Sequence, residues 1–99
     1  MDYRKIINEH RSEVEDTIES LREGPLQDRI LQEFKKRNGF VRIRAFEKYL
    51  ELDGYVHEGY TIYRIVYFED LGDIRALAED LIIADYSRKD IKNGLQSNN

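Results

Sequence analysis

The sequence contains no cysteine. That removes a disulfide framework, a thiolate metal site and a cysteine nucleophile together. No apolar run approaches the ~20 residues that span a bilayer, and no signal-peptide pattern opens the chain, so a cytoplasmic protein without membrane contact is expected. The six glycines are scattered and build no phosphate-binding loop. The two histidines, His10 and His57, stand at no metal-ligand spacing, and neither has a serine at a motif spacing. His57-Glu58 reads as a solvent-facing turn. Carboxylates are plentiful but carry no specificity for glycosidase-type chemistry. These residues do not describe a metabolic enzyme, and no catalytic residue, metal or cofactor is expected.

What the chain does contain is charge and apolar surface in close alternation. Of its 99 residues, 40% are hydrophobic and 36% charged, which suits one domain over 1–95 with a frayed tail over 96–99. One methionine, one proline and dense mixed charges match a thermophile profile. The net charge of −4 conceals an asymmetry: residues 29–48 hold seven basic and two acidic side chains, a local +5 that leaves −9 elsewhere. Lys35, Lys36 and Arg37 lead this segment as candidates for phosphate contact. The alternative is that its arginines are matched by carboxylates within the fold.

The stretch 40–68 organises the rest. Folded at Glu47-Lys48, it sets Phe46 opposite Tyr49, Arg44 opposite Glu51, Ile43 opposite Leu52, Arg42 opposite Asp53 and Phe40 opposite Tyr55. Apolar meets apolar and each arginine meets a carboxylate, as cross-strand pairs require. Folded again at a two-residue Glu58-Gly59 loop, it sets Asp53 opposite Arg64, Leu52 opposite Ile65 and Tyr49 opposite Phe68. A three-stranded antiparallel meander is expected, with its middle strand near 49–57. One face then carries Val41, Ile43, Ala45, Leu50, Leu52, Val56, Tyr63, Ile65 and Tyr67 as the core side. Phe46, Tyr49 and Phe68 form an aromatic cluster on the other face, near the Glu47-Lys48 loop, and are candidates for a protein interface. A rival reading makes 26–52 two helices of a winged helix-turn-helix, since Ala45, Phe46, Tyr49 and Leu50 also suit a helix face. That reading leaves the arginine–carboxylate pairing unexplained.

Helices flank the meander. Residues 3–23 read as one amphipathic helix, with Ile7, Val14 and Leu21 seven apart and Tyr3, His10 and Thr17 beside them. This seam either packs on its own domain or meets a partner or second copy, which makes Ile7, Val14 and Leu21 interface candidates. Gly24-Pro25 separates it from a second helix over 25–37 that buries Leu26, Ile30, Leu31 and Phe34. Asn38-Gly39 ends that helix, with the glycine suited to a left-handed conformation. Asp70 caps a third helix running to about Asp85, and Ser87 with Asp90 starts a short last one over 88–93. The expected class is α+β, in the order ααβββαα.

The helical hairpin, the meander and the strand Tyr63-Arg64-Ile65-Val66-Tyr67-Phe68, followed by Ser87-Arg88-Lys89-Asp90-Ile91, resemble the RelE/HigB ribosome-dependent mRNA interferase toxins over residues 26–93. The resemblance implies an RNA-contacting role for Arg64, Arg88 and Lys89, with Tyr86 as an addition. The chain departs from that family in opening with a helix and in following Phe68 with a helical pattern. The charge-rich, cysteine-free profile is also similar to that of small accessory proteins of viruses of hyperthermophilic archaea. From the residues themselves, the expected function is a small non-catalytic binding or regulatory module, homodimeric or acting on a protein partner. Nucleic-acid binding through 29–48 and RelE-like RNA cleavage are the alternatives.

Overall fold

The computed structural model describes residues 2–97, with side chains as far as residue 87. The chain is α+β, and its elements follow the expected order. Three helical segments, α1 (Tyr3–Glu9), α2 (Arg11–Leu21) and α3 (Leu26–Lys36), precede the sheet. The strands β1 (Phe40–Ala45), β2 (Tyr49–Val56) and β3 (Tyr60–Tyr67) form an antiparallel meander in the order β1-β2-β3, and α4 (Leu71–Ser97) closes the chain.

The single helix expected over 3–23 is broken at His10. The Asp2 carboxylate caps α1 by accepting from the backbone N–H groups of Arg4 and Lys5. His10 then leaves helical geometry, at φ −123° and ψ 34°. Its ring lies flat on Tyr86 of α4, with centroids 3.5 Å apart, and its Nδ1 sits 3.2 Å from Glu13 Oε1. A side-chain stack on a neighbouring helix thus accompanies the break, which the heptad spacing could not register. Val14, Ile18 and Leu21 are buried in the chain's own core. The seam is therefore internal, and Val14 and Leu21 are not open to a partner; Ile7 is half-buried against the same core.

Helix α3 buries Ile30 and Phe34, but Leu31 is 44% exposed, contrary to expectation, and Glu33 occupies the buried row in its place. After α3 the left-handed residue is Asn38 (φ 55°), not Gly39. Gly39 is needed for space: a Cβ there would lie 2.2 Å from the Tyr55 carbonyl oxygen. In α4, Asp70 caps as expected, its Oδ1 accepting from the Asp73 N–H at 3.1 Å. Ile74, Leu77, Ala78, Leu81, Ile82 and Ala84 then face the core, while Leu71 is 54% exposed. The helix runs unbroken through Ser87, which is buried, so no separate final helix forms. The tail expected over 96–99 falls partly outside the described residues.

Between β1 and β2 the register is the expected one, from Phe40 opposite Tyr55 to Ala45 opposite Leu50. Between β2 and β3 it differs by one residue: Tyr49 pairs with Tyr67, Glu51 with Ile65, Leu52 with Arg64 and Asp53 with Tyr63. His57 causes the shift by joining the loop. It takes a left-handed conformation (φ 52°), its N–H donates to the Arg37 carbonyl at 2.8 Å, and Glu58 follows at φ 66°. The loop is thus three residues long, between Val56 and Tyr60. Side chains alternate along a strand, so one extra loop residue inverts every side chain of β3. Ile62 and Val66 point into the core, and Tyr63, Ile65 and Tyr67 do not. Nor does Arg64 meet Asp53; it reaches the α4 carboxylate of Asp80, with Nε 2.5 Å from Oδ2.

The core lies between one face of the sheet and the helices. Leu50, Leu52, Val56, Ile62 and Val66 of the sheet meet Ile30 and Phe34 of α3 and Leu77, Ala78 and Leu81 of α4, all 4% exposed or less. Helix α2 packs on α4 and α3 rather than on the sheet, and α1 packs on α4. All helices therefore sit on the same side, and among the described residues nothing covers the other face of the sheet.

Candidate interaction face

Alternation assigns every side chain of the open face. From β1 come Phe40, Arg42 and Arg44; from β2, Tyr49, Glu51, Asp53 and Tyr55; from β3, Thr61, Tyr63, Ile65 and Tyr67. Phe46, just beyond β1, joins them, its N–H donating to the Tyr49 carbonyl at 2.9 Å. The pairing arranges these in four rows across the strands: Phe40–Tyr55–Thr61, Arg42–Asp53–Tyr63, Arg44–Glu51–Ile65 and Phe46–Tyr49–Tyr67. Aromatic rows lie at both ends and two charged rows between them. Read along the strands, β1 is basic, β2 is acidic and β3 is uncharged.

The face is wet and apolar together. Phe40 is 61% exposed, Tyr63 66%, Tyr67 47%, Ile65 43% and Tyr55 42%. Soluble proteins seldom leave contiguous patches of this kind without a use for them. One end is well ordered by ring contacts: Phe46 stacks on Tyr49 at 4.8 Å, and Tyr49 meets Tyr67 at 5.2 Å. The Arg44 guanidinium lies 5.4 Å from the Phe46 ring centroid and 3.5 Å from Glu51. At the other end Phe40 and Tyr55 are 6.4 Å apart. Arg42 and Asp53 face each other without an ion pair inside 4.0 Å among the described residues. The central charges are therefore only partly neutralised within the chain.

The expected aromatic cluster forms with one member exchanged. Tyr67 takes the position assigned to Phe68, as the one-residue shift dictates. Phe68 lies beyond the strand end, its N–H donating to the Lys48 carbonyl at 3.1 Å, beside a groove it shares with Leu21 and Leu26. Tyr63 and Ile65 lie on the open face and not on the expected core side; both alternations of 60–67 are apolar, so pattern alone does not choose between them. One signal was available. Ile62 and Val66 are aliphatic and β-branched, while the competing set holds two tyrosines, whose hydroxyls favour a wet position.

No protein-family model, curated protein or solved structure matches the chain. Its site must be read from the geometry.

A second polar region lies on the helical side. A groove of about 460 Å³ is lined by Glu13, Asp16, Ser20, Glu33, Lys36, Arg37, His57 and Asp85, among others. Apart from Asp16, its charges are matched within the chain. Glu33, 3% exposed, accepts from Lys36 Nζ at 2.7 Å and from Arg37 at 3.4 Å. Arg37 Nε donates to Asp85 at 2.8 Å, and His57 Nε2 lies 2.5 Å from the same oxygen. His57 is thus a partly buried tie between the hairpin loop and α4, not the solvent-facing turn residue expected. At its rim the Tyr86 hydroxyl donates to the Glu13 carboxylate at 2.5 Å, and that bond with burial pushes the phenol up to about 12. Among the described residues no group of three or more His, Asp or Glu is arranged to hold a metal ion.

These pairs also account for the nucleic-acid candidates. Lys36 and Arg37 are engaged by Glu33 and Asp85, whereas Lys35 makes no ion pair among the described residues. Arg64 lies on the covered face against Asp80, whose hydrogen bond holds the guanidinium above its usual range. Arg88 and Lys89 lie on the backbone of α4, with side chains outside the described residues. Among the described residues no helix is long and apolar enough to cross a membrane.

Proposed function

We propose that this chain is a small non-catalytic binding module of the cell interior, acting through protein contact at the open face of its sheet. One observation carries the reading. Every helix packs on one side of the sheet, while the other presents two aromatic rows around charged rows of zero net charge. Phosphate recognition would favour a positive face, because counterion release supplies most of that affinity. Here Glu51 and Asp53 offset Arg42 and Arg44 at the centre, so protein is favoured over nucleic acid.

The test is the variant Tyr63→Ser/Ile65→Thr/Tyr67→Ser, with cross-linking in the native cell. These side chains are exposed, so the melting temperature should stay within a few degrees of wild type, as for most surface substitutions. Cross-links to other polypeptides, own copies included, should be lost. An unchanged set of cross-linked proteins contradicts the reading.

A further inference from the structure

The rows of the open face have a symmetry that names an occupant. We infer that the face is covered by a second copy of this chain, related by a twofold axis parallel to the strands and lying between β1 and β2. This rests on the reading of the open face as a protein contact and adds the partner and its register.

Charge selects the axis. In a twofold face-to-face pairing the axis lies in the plane between the two sheets, and where the strands of the two sheets are aligned it runs either across them or along them. An axis across the strands lays β1 on β1 and β2 on β2, so arginine meets arginine and carboxylate meets carboxylate. An axis along β2 again sets Glu51 and Asp53 on their own copies. An axis along the strands between β1 and β2 lays each β1 on the partner's β2 without changing the row. Arg42 then meets the partner's Asp53, and Arg44 meets the partner's Glu51. Both contacts occur twice. The end rows obey the same operation, placing Phe40 on the partner's Tyr55 and Phe46 on the partner's Tyr49. All four rows are therefore self-complementary under one operation, and it is the operation that sets each arginine on a carboxylate.

The remaining apolar surface is accounted for as well. Beyond the overlapped pair of strands, Tyr63, Ile65 and Tyr67 of β3 close over the outer flank of the partner's β1. Their rings and methyls meet there the aliphatic stems of the arginines, which pack well on apolar surface. Size is adequate. Phe40, Phe46, Tyr55, Tyr63, Ile65 and Tyr67 are 38–66% exposed, or about 600 Å² together at roughly 200 Å² per large side chain, before the charged rows are added. A standard interface takes ~800 Å² from each partner. Arg42 and Asp53, which make no ion pair among the described residues, gain their partners in the dimer.

Sedimentation equilibrium on the full chain tests this with two variants. Arg42→Glu/Arg44→Glu makes both central rows wholly acidic, and Glu51→Arg/Asp53→Arg makes them wholly basic. Wild type should dimerise. Each variant alone should lose about a hundredfold or more in affinity, as close charge pairs across an interface allow. An equimolar mixture should restore a dimer of one copy of each. Because either variant could be weakened in folding, the fourfold exchange Arg42→Glu/Arg44→Glu/Glu51→Arg/Asp53→Arg completes the set. It keeps opposite charges facing within the chain and should dimerise within about tenfold of wild type. A wild type that stays monomeric overturns the second copy. Variants that each dimerise like wild type, or a folded fourfold exchange that stays monomeric, overturn this axis. None of these results decides the protein-contact reading itself, which stands or falls with the cross-links lost in the Tyr63/Ile65/Tyr67 variant.

Discussion

Asp85 holds the hairpin loop to the helical layer. It takes the Arg37 guanidinium and the His57 ring at one oxygen, while the His57 N–H is held by the Arg37 carbonyl. Removing it strips the half-buried His57 ring of this partner and leaves the Arg37 guanidinium with Glu33. Asp85→Ala should cost about 2 kcal/mol in urea unfolding, below the figure for a fully buried pair because Asp85 keeps some solvent contact. A loss too small to measure would show that water replaces the carboxylate. Tyr86 supplies a second residue-scale expectation. Its phenol is raised from near 10 to about 12, chiefly by the hydrogen bond to Glu13. The folded state therefore binds more protons than the unfolded state between those values. The stabilisation is complete below pH 10 and is lost as pH rises through about 12. The tyrosinate absorbance difference between wild type and Tyr86→Phe should titrate in that upper range, and Glu13→Ala should bring it back toward the ordinary one. A Tyr86 titration that Glu13→Ala leaves unmoved contradicts the assigned cause.

At the scale of elements, the chain shows which features local pattern can carry. The β1–β2 register was legible because Arg42, Arg44, Asp53 and Glu51 label it with charge and the aromatics label it again. Helix α3 and the stripe of α4 were legible from apolar spacing. The β2–β3 register was not, because YTIYRIVY is apolar on both alternations and its only charge, Arg64, had carboxylates available on either side. The deciding contacts, His57 with Asp85 and Arg64 with Asp80, link residues 28 and 16 positions apart. The break at His10 was hidden for the same reason, since its stacking partner lies on α4. Gly54→Ala should be severe, at about 3 kcal/mol or more by analogy with other overpacked sites, because its Cβ would lie 2.3 Å from the Phe40 carbonyl oxygen. An unchanged denaturation midpoint would show that β1 can move away at little cost.

For the whole molecule, the arrangement is a sheet with one dry face and one face left for another surface. A three-stranded sheet backed by helices on one side is stable without a second cover, so the aromatics of the open face are not required by folding. Their position beside a neutral pattern of fixed charges is what the account explains by association. The groove on the helical side offers a competing site, but its charged side chains, Asp16 apart, already satisfy one another. The most direct measurement is side-chain NMR across a dilution series of the full wild-type chain. The account predicts concentration-dependent shifts at Phe40, Tyr55, Tyr63, Ile65 and Tyr67, with Ile30, Phe34 and Leu77 unmoved. Shifts confined to the groove around Glu33 and Asp85, or no shift at any concentration with the open-face rings fully accessible to a soluble relaxation agent, would contradict it.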